Sequence, residues 1–202
     1  MGWLWILAIV LILLIGSFLL NFYRDPKRRI PKGNNVVAPA DGTVISIVKV
    51  SKSNVKIRKG LLCKISMLTK DIANECYAIS IFMSPFDVHI NRAPISGTVK
   101  SIKHENGNFF RADDIGKSLS NEKNEIIIQN RKLKVKVIQI AGFIARRIIC
   151  DVALNQKVNK GGKIGRITLG SQTTLILPAN VGLRIGLNSK VKAGETVIAE
   201  LI

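Results

Sequence analysis

Two apolar patterns divide the chain. Residues 1–23, MGWLWILAIVLILLIGSFLLNFY, carry no charged side chain and no polar stripe. A helix of ~20 such residues is what the ~30 Å hydrocarbon core of a bilayer requires. Trp3, Trp5 and Tyr23 stand near its two ends, where amphipathic rings favour the membrane interface. A cleaved signal peptide would show a basic leading segment and a small-x-small cleavage site, and neither is present, so the run is read as a retained anchor. Beyond residue 35 the helical period gives way to short runs rich in Val, Ile and Thr: TVISIVKV, YAISIFM, NEIIIQN, LKVKVIQI and TTLILP. Leu133, Val135 and Val137 alternate with Lys134 and Lys136, the two-residue period of a half-exposed strand. Turn clusters at 32–35 and 105–108 separate these runs. The pattern predicts a mainly β domain over 24–202, sandwich- or barrel-like, preceded by one transmembrane helix over 1–23.

Two internal repeats sharpen that architecture. APADGTVISI from Ala38 and APISGTVKSI from Ala93 share Ala-Pro, Gly-Thr-Val and a closing Ser-x-Ile. NQKVNKGGKI from Asn155 and NSKVKAGETV from Asn188 share Asn, Lys, Val and Gly at matching places. Each reads as a turn, with Gly where a tight bend needs positive φ, leading into a β-branched strand. Such duplicated hairpins resemble the sandwiched barrels of biotinyl and lipoyl carrier domains, without the Met-flanked Lys that a carrier needs.

Charge narrows the partner. Thirty-one Lys and Arg against thirteen Asp and Glu give a formal +18, which suits an anionic partner, either nucleic acid or an acidic bilayer. The anchor is followed by RDPKRRIPK, with Arg24, Lys27, Arg28, Arg29 and Lys32 against Asp25. By the positive-inside tendency this flank is cytoplasmic, and it attracts anionic lipid at ~1 kcal/mol per basic residue. A tethered domain with few aromatics is badly placed to stack bases, so no nucleic acid is expected. Cys63, Cys76 and Cys150 form neither a zinc pattern nor an even disulfide set and are read as buried thiols in a reducing compartment.

The candidate chemistry starts from TLGSQTTLILP, residues 168–178, where Gly170 and Ser171 interrupt a strand-like run. A bulge explains Gly170 alone. A reactive serine needs partners, and the chain offers few. Of its two histidines, His104 reads as a loop residue, while His89 lies in FMSPFDVHINRAP, just before the second copy of the first repeat. Two histidines without matched spacing do not make a catalytic zinc site, so no metal is expected. Within that repeat, Asp41 stands where the other copy has Ser96. Asp41, His89 and Ser171 together contain the parts of an activated nucleophile.

FYRDPKRRIP, APADGTV, FMSPFDVHINRAPISG, NEKNE, QIAGFIARRI and LGS, in that order, resemble the short bacterial and archaeal phosphatidylserine decarboxylase proenzymes over almost the whole chain after the anchor. The resemblance implies self-cleavage between Gly170 and Ser171, into a large chain 1–170 and a small chain 171–202 that stay associated. It implies a pyruvoyl cofactor made from Ser171, which forms a Schiff base with the amine of phosphatidylserine and takes the electrons left by departing carbon dioxide. His89 is then the base for the serine hydroxyl and the acid for decarboxylation, with Asp41 supporting its imidazolium. Longer members carry a second His three residues after the first, where this chain has Arg92, so either His89 serves both steps or a water or another group substitutes. Phe82, Met83 and Phe86 are read first as core packing and second as acyl-chain contacts. The implied product is phosphatidylethanolamine, made at the cell membrane by a domain on its cytoplasmic face, with oligomeric state left open. The alternatives are a membrane-tethered serine hydrolase that leaves the Gly-Ser bond intact, and a non-enzymatic β module that binds acidic lipid.

Overall fold

The computed structural model describes residues 2–51, 68–107, 110, 118, 120–142, 147–168 and 171–201. Gly170 and Cys63 lie outside them. The apolar run forms α1, Gly2–Phe22, long and apolar enough to cross a membrane. Phe22, at its end, is its one buried residue. A helix apolar on every side and left uncovered by the domain has no core-facing stripe, and its surface suits lipid rather than water.

The rest is β. In chain order the strands are β1 Asn35–Val37, β2 Gly42–Ser51, β3 Glu75–Met83, β4 Ile90–Arg92, β5 Gly97–Glu105, β6 Lys123–Gln129 and β7 Lys134–Ile140. They continue as β8 Ile148–Cys150, β9 Lys157–Val158, β10 Lys163–Ile167, β11 Ser171–Pro178, β12 Val181–Leu183, β13 Lys190–Val191 and β14 Val197–Leu201. Eight form one curled sheet in the order β13, β2, β3, β11, β7, β6, β5, β9. Two three-stranded sheets, β1-β14-β12 and β4-β10-β8, complete the domain. The pairings are antiparallel.

The two repeats pair with each other. Lys190 and Val191 face Thr43 and Gly42, as Lys157 and Val158 face Thr98 and Gly97. Matching register shifts fall between Val44 and Ser46 and between Val99 and Ser101. The copies also exchange backbone bonds, Val37 N–H to the Pro94 carbonyl and Arg92 N–H to that of Pro39. The domain is therefore built about an internal pseudo-twofold axis. Gly161 and Gly194 turn at φ 77° in equivalent places, a conformation that disfavours a Cβ.

Three expectations change. β10 ends at Ile167 in a three-stranded sheet and β11 begins at Ser171 in the eight-stranded one, so Ser171 opens a strand of a different sheet from β10. His104 lies within β5, opposite Asn124, rather than in a loop. Cys76 is buried, but Cys150 is exposed.

The alternation in β7 holds and its interpretation does not. Val135 and Val137 join the main core, while Ile138 and Ile140 pack on the other face with Leu68, Ile72 and Ala73. Both faces are covered, so Lys136 is 1% exposed. Its ammonium donates to the Leu68 carbonyl (2.8 Å), Glu125 (2.8 Å) and Asp71 (3.3 Å). Lys136→Met is expected to cost about 3–5 kcal/mol in chemical denaturation, because Glu125 is left buried without its cation. Adding Glu125→Leu should recover most of that loss.

Candidate active site

The C-terminal end of β3 organises the site. Ser171 is opposite Met83 on one side of β3, and Thr43 is opposite Phe82 on the other, which brings Asp41 and Gly42 to the same end. The fit is close enough that a Cβ on Gly42 would lie 2.1 Å from the Phe82 carbonyl oxygen. After β3 the chain turns through SPFDV, where Ser84 N–H donates to the Asp87 carboxylate at 2.8 Å. It then enters β4, and the His89 carbonyl accepts from Ile167 N–H. One strand end thus gathers the three residues singled out from the sequence.

Their side chains have separate partners. Ser171 is fully buried, and its hydroxyl donates to the Met83 thioether at 3.5 Å, a weak acceptor that leaves the oxygen largely uncommitted. His89 is 3% exposed, with Nδ1 2.9 Å from the Asp87 carbonyl. A carbonyl only accepts, so Nδ1 carries the proton of the neutral ring and Nε2 carries the lone pair. That Nε2 is buried without a hydrogen-bond partner among the described residues. Burial is the main influence on the ring and pushes its pKa below the ordinary histidine value; the Asp87 carbonyl and the Asp87 and Asp41 charges oppose this, and Arg24 adds to it. The imidazole is held as a free base.

Asp41 does not make the contact that orients His89; the Asp87 carbonyl does. The Asp41 oxygens lie 3.0 and 2.9 Å from Nη2 of Arg28, and Oδ1 also accepts from Ala193 N–H at 2.7 Å. Behind Ser171, Asn124 donates to Gln139, Gln139 to Asn91, and Asn91 to Thr173, all through buried side chains. This line ties the strand after His89 to the strand that Ser171 opens. Gln172 is likewise buried, accepting from Ser118 and donating to Thr174.

The anchor reaches the site. Phe22 lies 4.3 Å from the His89 ring, centroid to centroid, and Phe18 meets Phe86 edge-on at 6.4 Å. Arg24 donates to the Phe86 carbonyl at 2.8 Å. Of the three apolar residues read as packing or lipid contacts, Met83 is buried and Phe86 is 71% exposed beside the helix. Phe22→Ala should admit water to His89 and raise its pKa toward 6.5, the ordinary value. An NMR titration of the imidazole measures this; an unchanged midpoint would show that Phe22 does not shield the ring.

The family model for phosphatidylserine decarboxylase matches residues 15–199. The chain belongs to the phosphatidylserine decarboxylase family. It is 45% identical to a putative archaetidylserine decarboxylase proenzyme of Methanocaldococcus jannaschii, over 90% of this chain and 89% of that one. It is 40% identical to a phosphatidylserine decarboxylase proenzyme of Chlorobium phaeovibrioides, over 91% of this chain and 77% of that one, and 41% identical to one of Chlorobium phaeobacteroides, over 90% and 78%. Family membership accounts for the segments that carried the resemblance. Arg28, Phe22, Met83 and the Asn91–Gln139–Asn124 line all lie within those segments but were not singled out as site residues. In the sequence Arg28 stood as one of the basic residues after the anchor, while the difference between Asp41 and Ser96 pointed to the acid without its partner.

Proposed function

We propose that the protein is a self-processing, pyruvoyl-dependent decarboxylase of serine-headgroup phospholipids, producing the ethanolamine lipid and carbon dioxide. The observation that carries this reading is a buried imidazole with Nδ1 committed to a carbonyl and an Nε2 unpartnered among the described residues, at the strand end where the Ser171 hydroxyl donates to a thioether. In the precursor, Ser171 Oγ bonds to the Gly170 carbonyl carbon as its proton passes to His89 Nε2. The 170–171 C–N bond breaks and the amine of residue 171 takes up a proton. Loss of the Ser171 Cα proton and cleavage of Cβ–Oγ release 1–170 as a carboxylate. Water then hydrolyses the dehydroalanine that remains, ammonia leaves, and residue 171 is a pyruvoyl group. Hydrogen bonds between His89 and Ser171 are not made in this structure, and catalytic contacts of this kind commonly tighten only on the reaction path.

Residue 171 fits such a group. It opens β11, is fully buried, and faces Met83 across the ladder. The pyruvoyl ketone supplies an electron sink for the bond to the departing carboxylate. His89 is the residue placed to return a proton afterwards, and Phe22 restricts water at its ring. Cleavage need not separate the chains, because β11 is paired on both sides by β3 and β7 and β14 is held by β1. α1 keeps the site at the bilayer, where its substrate resides, and the basic flank supports a cytoplasmic orientation of the domain by the positive-inside tendency.

Intact mass after denaturing electrophoresis tests the reading. Two chains, the smaller beginning at a blocked residue 171, support it; one full-length chain in active material excludes it and favours the tethered hydrolase. Vesicles carrying phosphatidylserine or archaetidylserine then separate the two substrates in the names of the two kinds of relative.

A further inference from the structure

The basic segment after the anchor is not a solvated tether. Asp25 pairs with Arg92 (2.6 Å) and with Lys163. Arg29 N–H donates to Glu195 at 2.9 Å. Ile30 sits against the two symmetry-related turns, where a Cβ on Gly161 would lie 2.2 Å from Ile30 Cδ1 and one on Gly194 3.1 Å from it. Between these contacts, Arg28 enters the domain with its side chain 5% exposed and meets Asp41.

The internal symmetry separates what Asp41 does for the fold from what it does beyond it. In one repeat Ser96 Oγ accepts from Lys160 N–H at 2.8 Å; in the other Asp41 Oδ1 accepts from Ala193 N–H at 2.7 Å. The turn therefore needs an oxygen acceptor at this position, and a neutral hydroxyl supplies it. The carboxylate adds a charge that the turn does not need, with an almost wholly buried guanidinium to match. A buried ion pair confers little or no stability over neutral packing, because desolvation offsets the attraction. The charged copy is the one at the Ser171 end of β3, and its charge acts on His89.

The geometry points to Arg28 as a positioning residue for self-cleavage, acting through Asp41, so that the juxtamembrane segment is a working part of the catalytic domain. This rests on the proposed cleavage before Ser171. Arg28 holds the carboxylate at a set place beside β3, and the segment carries that constraint to the anchor, whose Phe22 covers His89.

The experiment follows cleavage of the full-length chain in detergent by denaturing electrophoresis. Arg28→Ala should cleave ~10- to 100-fold more slowly, the scale of a small misplacement of reacting groups. Arg28→Lys should be intermediate, and millimolar guanidinium should restore Arg28→Ala in a dose-dependent way, which a purely structural defect would not allow. Asp41→Ser keeps the acceptor seen at Ser96 and should fold with near-native melting but cleave slowly, with no further loss when Arg28→Ala is added. Lys32→Ala, an exposed neighbouring cation, should cleave normally. Folded Arg28→Ala or Asp41→Ser that cleaves at the wild-type rate would overturn the inference, as would guanidinium without effect. If Arg28→Ala does not fold, normal cleavage by Asp41→Ser overturns it equally. Failure of the unaltered chain to cleave would instead remove the self-processing reading.

Discussion

Ser171→Ala should leave the full-length chain uncut and release no carbon dioxide from phosphatidylserine vesicles. The variant removes one oxygen whose hydrogen bond is to a thioether, so the fold loses little: β11 keeps its ladders to β3 and β7, and Met83 keeps its contact from Thr173. Loss of both activities with native-like melting isolates chemistry from folding. If self-cleavage produces the electron sink, no residual decarboxylation is expected, in contrast to the modest losses that follow removal of one auxiliary group. Cleavage of a Ser171→Ala protein at the same bond would require a different nucleophile and would overturn the assignment. Intact chain that still decarboxylates would remove the pyruvoyl group from the reaction.

His89→Ala is expected to slow cleavage by ~10²- to 10⁴-fold, the range for losing a positioned general base. The structure specifies which atom is missed. Since Nδ1 is engaged by the Asp87 carbonyl, the base is Nε2, and added imidazole should restore cleavage in proportion to its unprotonated fraction. Burial lowers the His89 pKa, so the neutral base should persist to lower pH in the native chain than in Phe22→Ala, whose acid limb should lie at higher pH. Arg92 matters here too. At the place where the resemblance implies a second His in longer members, its guanidinium is taken up by Asp25 and the Gly161 carbonyl, in an environment that secures the linker rather than moving protons. A His89→Ala protein that cleaves at the normal rate would take His89 out of the first step.

The anchor, the main strands and the repeats were legible because each follows from a one-dimensional period. A charge-free run can satisfy its backbone in a bilayer only as a helix, and alternation or β-branched runs set β2, β3, β6, β7 and most of β11. Lys136 shows where periodicity stops. Alternation reports which face a side chain takes, and whether that face meets water depends on residues 68–73, far away in the chain. His104 reads as a loop residue beside Glu105 and Asn106, and its pairing with Asn124 extends β5 through it.

The same division runs through the site. Ser171, His89 and Asp41 could be named from the sequence because residue type carries chemistry and the chain has only two histidines, one of them beside the second repeat. Which atom faces which was settled only by three-dimensional packing. β3 brings strands far apart in sequence to one end, a carbonyl two residues away selects the tautomer of His89, and a linker arginine takes the carboxylate expected to serve the histidine. By itself the sequence determined the N-terminal apolar helix, the β class, the duplicated turns and the chemical types at the site. The tertiary structure alone decided the pairing of Asp41 with Arg28, the cover of Phe22 over His89 and the change of sheet at Ser171, because each is a contact between segments whose separation no local period records.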